Sequence, residues 1–91
     1  MDNIVPILNP DVLAREMGSD MVLLEPASGK VFGLNTVGNS FWKAIDGKKN
    51  LAEIIAGLAD EYDVDLNELK SDVMELTSSL VKEDLIRLDE G

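Results

Sequence analysis

Apolar and polar positions follow two different rhythms along this chain, and the change falls at about residue 35. Before it, Val12 to Glu16 and Met21 to Glu25 are short β-compatible runs on either side of Met17-Gly18-Ser19-Asp20, which has the composition of a turn. Pro26-Ala27-Ser28-Gly29 forms a second turn and leads into Lys30-Val31-Phe32-Gly33-Leu34. There Phe32 and Leu34 share a face at period two. Three antiparallel strands are predicted, spanning about residues 12–34.

After residue 35 the period becomes helical. Val37, Phe41 and Ile45 fall at i, i+4 and i+8 in a first helix starting near Asn35 or Thr36, and Asp46-Gly47 stops it. Asn50 caps a second helix, with Glu53 as its reciprocal capping-box partner. Leu51, Ile54, Ile55, Leu58, Ala59 and Tyr62 make this helix the strongest periodic signal in the chain. Asp65 caps a third helix with Glu68 at its third position, and Val64 and Leu69 are spaced for a hydrophobic staple. Its stripe is Leu69, Val73, Leu76 and Leu80, and the helices together span about residues 36–82. Leu85-Ile86-Arg87-Leu88 is a candidate short terminal strand. This inventory predicts an α+β fold, a small winged-helix-like domain with three antiparallel strands followed by three helices. At 91 residues the chain has room for one core, so residues 1–91 are taken as a single domain.

Charge changes the picture, because winged helices commonly bind DNA. The chain carries eighteen acids against eight bases, a net charge of −10. Residues 46–91 hold thirteen acids and five bases, net −8. The third helix has Lys70 and Lys82 against four acids from Glu68 to Glu83. Phosphate neutralisation supplies most nucleic-acid affinity, so a duplex is disfavoured, as is an anionic membrane surface. A basic partner is attracted instead.

There is no cysteine and no histidine. Disulfides, thiolate metal sites and every Ser-His or Cys-His nucleophile pair are thereby removed. Asp60, Glu61, Asp63 and Asp65 cluster around one turn, but a calcium loop starting at Asp63 would have Glu68 where Gly is required and Met74 where Glu is. Helix capping accounts for these acids. Gly29-Lys30 and Gly47-Lys48-Lys49 lack the spacing of a phosphate loop and are turns. Trp42 and Tyr62 sit on or beside apolar stripes and are assigned to the core. No cofactor, metal or catalytic group is expected. Without a basic, apolar N-terminal signal or a run long enough to span a membrane, a cytoplasmic location is expected.

Two features point to binding. The apolar arc of the third helix extends on one side only, through Lys70, Met74, Thr77 and Val81, while the other side is Asp72, Ser79 and Glu83. A one-sided extension suits a groove wall, and equally suits packing against the terminal strand. The strand Lys30–Leu34 lacks proline and carries one charge, so as a sheet edge it is poorly guarded. An open edge beside a helical groove is the geometry of β-strand addition.

Leu8-Asn9-Pro10-Asp11-Val12, Arg15, the Val22-Leu23-Leu24-Glu25-Pro26 strand and turn, and Gly29 resemble the PqqD family, the founding case of RiPP recognition elements. Phe32-Gly33-Leu34-Asn35 with Gly38, then Asp46-Gly47, Leu51-Ala52-Glu53-Ile54-Ile55 and Leu58, extend the resemblance in order. Asn50-Leu51 stands where the family often has Thr-Val, and Asn caps equally well. The resemblance implies a non-catalytic adaptor that binds the leader region of a ribosomally made precursor peptide. It implies strand addition at the third strand, in a groove against the third helix, and presentation to a modifying enzyme, of the radical SAM type in the PQQ case. The contacts carried over are Lys30, Val31, Phe32, Gly33 and Leu34 on the strand, and Lys70, Met74, Thr77 and Val81 on the helix. The rivals are a protein-assembly domain without a peptide ligand and a DNA-binding winged helix.

Overall fold

The computed structural model describes residues 3–90; Met1, Asp2 and Gly91 of the expected 1–91 domain lie outside the described residues. The order is β1 (Val5–Leu8), β2 (Leu13–Met17), β3 (Asp20–Glu25), β4 (Lys30–Leu34), α1 (Thr36–Ala44), α2 (Leu51–Tyr62), α3 (Leu66–Lys82) and β5 (Ile86–Asp89). The three-stranded antiparallel sheet has the order β2-β3-β4, which leaves β4 at an edge. The α+β class and the three-strand, three-helix inventory are as expected, with one addition. Residues 5–8, assigned no structure from sequence, pair antiparallel with β5 in a separate two-stranded ribbon, Val5 opposite Asp89 and Leu8 opposite Ile86.

Local chemistry explains most boundaries. Gly18-Ser19 is a two-residue hairpin loop, with Gly18 at φ 68, the positive value that its place in a tight primed turn demands. The β3–β4 turn closes through the Gly29 amide donating to Glu25 carbonyl oxygen at 2.9 Å, with Gly29 at φ 73. α2 carries the full capping box, Glu53 N–H to Asn50 Oδ1 at 2.8 Å and Asn50 N–H to Glu53 Oε1 at 3.0 Å. Asp65 Oδ1 caps α3, accepting from Asn67 and Glu68 amides at 2.9 and 3.1 Å. Asp63 is the left-handed C-cap of α2 at φ 50. Two acids of the α2–α3 turn thus serve the helix ends.

One core lies between the sheet and the helices. Leu23 of β3, Phe41 and Trp42 of α1, Leu51, Ile54 and Leu58 of α2, Val73 and Leu80 of α3, and Leu85 are all buried in it. Trp42 therefore packs as expected. Tyr62 is half-buried, and its hydroxyl pairs with Ser40 Oγ and lies 3.4 Å from the Thr36 carbonyl. Asn9 ties the N-terminal segment to the α3–β5 turn: its Nδ2 donates to Asp84 carbonyl at 2.9 Å while its Oδ1 accepts from Asp11 amide at 3.0 Å.

Candidate functional site

β4 brings two sets of side chains to two different places. Phe32 and Leu34 face inward, with Leu34 buried and Phe32 partly so. Val31 points to the opposite face of the sheet, opposite Leu24, and is 67% exposed. As an edge strand, β4 also has backbone N–H and C=O groups that no neighbouring strand of its sheet engages.

α3 packs on α2, β5 and α1, and its remaining flank faces β4 across a groove of about 590 Å³. Phe32, Gly33 and Leu34 form one wall. Val64, Leu69, Val73 and Leu76 supply apolar surface on the other side, with Glu68 and Asp72 beside them. Asn35, Val37 and Gly38 close the end where β4 turns into α1. At the opposite end, Lys30 Nζ lies 3.1 Å from Glu83 Oε2, joining the start of β4 to the end of α3. Strand and helix are therefore antiparallel.

The β4–α1 junction shows why the Phe32-Gly33-Leu34-Asn35 and Gly38 spacing has physical content. Asn35 Oδ1 caps α1 by accepting the Gly38 amide at 2.9 Å. A Cβ on Gly38 would stand 3.2 Å from Leu34 Cβ, tighter than ordinary contact, so glycine lets the first turn of α1 sit directly against the groove floor. The cap and the small residue together fix the position of Leu34.

The predicted site residues divide accordingly. Phe32, Gly33 and Leu34 line the groove, Lys30 closes its end, and Val31 lies on the far face of the sheet. Lys70, Met74, Thr77 and Val81 do not line it. They occupy the opposite flank of α3, with Thr77 buried, Met74 half-buried against the core, and Lys70 and Val81 exposed. Within the one-sided extension Met74 and Thr77 thus pack on the core while Lys70 and Val81 stay exposed, and the groove wall is the more polar flank bearing Glu68, Asp72 and Leu76. Those residues were legible only through the stripe's other edge, where Asp72 and Glu83 mark the side left open.

A family model for coenzyme PQQ synthesis protein D, PqqD, matches residues 20–86. The chain belongs to the PqqD family. Among the relatives of this PqqD-family chain, the PqqA binding protein of Xanthomonas campestris pv. campestris strain B100 is 40% identical over 67 residues, covering 74% of this chain and 71% of the relative. The PqqA binding protein of Xanthomonas oryzae pv. oryzae strain PXO99A is 37% identical over the same length and shares of both chains. The solved structure of TbiB1 in complex with the TbiA(beta) leader peptide matches with a TM-score of 0.80 and 26% identity, covering 89% of this chain and 94% of that one. The matched segment contains β3, β4 and all three helices, and so both walls of the groove.

Proposed function

We propose that this PqqD-family chain is a non-catalytic recognition element that binds the leader region of a ribosomally made precursor peptide and presents it to a separate modifying enzyme. The observation that carries the reading is the free edge of β4 beside an apolar groove whose far wall is α3. Relatives named for binding PqqA, and a matching fold solved with a leader peptide, support it. The absence of His and Cys from the sequence supports a binding role over bond chemistry. A radical SAM enzyme is the partner that the family resemblance implies, and the cytoplasm is the location proposed with it. Among the described residues no helix is long and apolar enough to cross a membrane. Ordering a disordered peptide costs about 2–5 kcal/mol, which places the expected affinity near the micromolar range.

The test is an NMR titration of labelled protein with leader peptides encoded beside its own gene, repeated on Val31→Pro and Phe32→Pro. Neighbouring residues of a strand direct their N–H groups to opposite sides, so one of the two substitutions removes an outward donor and the other a bond to β3. Shifts are expected along Phe32–Asn35 and the Glu68–Leu76 flank. Binding should weaken at least tenfold in the variant that loses the outward donor. Unchanged affinity in that variant, still folded, would remove strand addition.

A further inference from the structure

The groove is not chemically neutral. Both charged side chains that line it, Glu68 and Asp72, are acidic and exposed, and among the described residues neither is in an ion pair. Lys30, at the groove's end, is paired with Glu83. Glu68, Asp72 and Leu76 are each four residues apart and share one flank of α3. Successive members of that row are displaced by about 6 Å along the helix, and alternate residues of an extended chain by about 6.7 Å. A peptide strand laid along β4 therefore presents every second side chain to successive members of this row.

We infer that the groove selects an extended peptide whose helix-facing positions, two residues apart, run apolar, basic, basic from the Lys30–Glu83 end towards Asn35. This rests on the peptide-binding reading and names the class of sequence that the site takes. The apolar side chain sits over Leu76, Val73 and Phe32. The two lysines or arginines lay their aliphatic stems over Leu69 and Val64 and place their charges at Asp72 and Glu68, which suits an amphipathic cation better than a short polar residue. The net charge of −10 acts in the same direction by steering a basic segment towards the chain.

Panning a displayed library of random twelve-residue peptides against wild type, E68Q/D72N and D72K tests this. Enriched peptides are then synthesised with Gln in place of each Lys or Arg and measured by fluorescence anisotropy at low and high salt. Wild type should enrich basic residues at alternate positions beside an apolar anchor. Each pair should be worth a factor of roughly two to five in affinity, as exposed ion pairs are, and should fade as salt rises. E68Q/D72N should lose the basic preference while still holding apolar peptides, and D72K should shift it towards acids. Asp72 is exposed in mid-helix, and Gln at 68 keeps the backbone amide that Asp65 caps, so both variants should fold. Peptides that lose affinity in the strand-edge proline variant yet show no basic preference on wild type overturn this inference and leave the peptide-binding reading standing. A library that yields no binder overturns both.

Discussion

Thr77 of α3 is 2% exposed, and its hydroxyl has no hydrogen-bond partner among the described residues. An orphaned buried hydroxyl costs roughly 1–3 kcal/mol, whereas valine keeps the β-branch and replaces the hydroxyl with a methyl. Thr77→Val should therefore raise stability by about 1 kcal/mol, read as a higher urea midpoint at unchanged slope. A lower midpoint would mean that the hydroxyl has a partner. Thr77 also shows a limit of reading residues by type. A threonine next to a helical stripe is chemically suited to a groove wall or to a core margin, and only the packing of α3 against its neighbours puts it in the core. Phe32 and Leu34 were legible as groove residues because period-two alternation fixes a strand's faces without reference to the rest of the fold.

Among the elements, those closed by local chemistry could be read from sequence and those closed at long range could not. The start of α2 is written in the four residues Asn50 to Glu53, and its box forms in full. Asn50→Ala should cost about 1 kcal/mol in thermal or urea unfolding, with Asn50→Asp close to wild type, because capping needs an acceptor at this position rather than an amide. Equal losses in both would show that Asn50 acts through something other than its cap. β1 carried no such local signal. Pro6 interrupts a short run, which demotes a candidate strand, and the register that makes Val5–Leu8 a strand comes from Ile86–Asp89 at the other end of the chain. α3 falls between these cases. Its stripe and its cap were readable, but which flank stays open depends on α1, α2 and β5 taking the other sides. A sheet edge and a groove could be expected beside each other from sequence, while the choice between Met74 and Asp72 as the groove wall required the assembled helices.

Charge is a property of the whole molecule, and two opposing effects set how stability responds to solution conditions. Glu16 is held below the usual carboxylate range by the Lys43 ammonium at 2.7 Å and by the Asn39 amide. Asp46 is lowered by the backbone N–H groups of Lys49 and Lys48, each at 2.9 Å. A folded pKa below the unfolded one stabilises the fold above the ordinary value and loses that stabilisation as pH falls through the lowered one. Both groups therefore favour the fold at neutral pH and contribute to its loss in acid, starting below their usual values of 4.5 and 3.8. Against them stands the repulsion among eighteen acids that eight bases only partly offset. The described residues span 35 × 32 × 19 Å, so at an ionic strength of about 0.01 M, where screening reaches about 30 Å, acids across the molecule repel one another. At about 0.1 M the reach falls to about 10 Å and only neighbours interact, while the ion pairs Glu16–Lys43 and Lys30–Glu83, being partly exposed, contribute little that salt can remove. Repulsion should therefore dominate at pH 7, and adding salt over this range should raise the melting temperature by a few degrees, the equivalent of roughly 1 kcal/mol in a domain of this size. The same salt increase should weaken any basic peptide held at Glu68 and Asp72. Calorimetry and anisotropy on one salt series should then move in opposite directions, the fold gaining as the complex loses. A melting temperature that falls with salt would instead make the attractive pairs the larger effect.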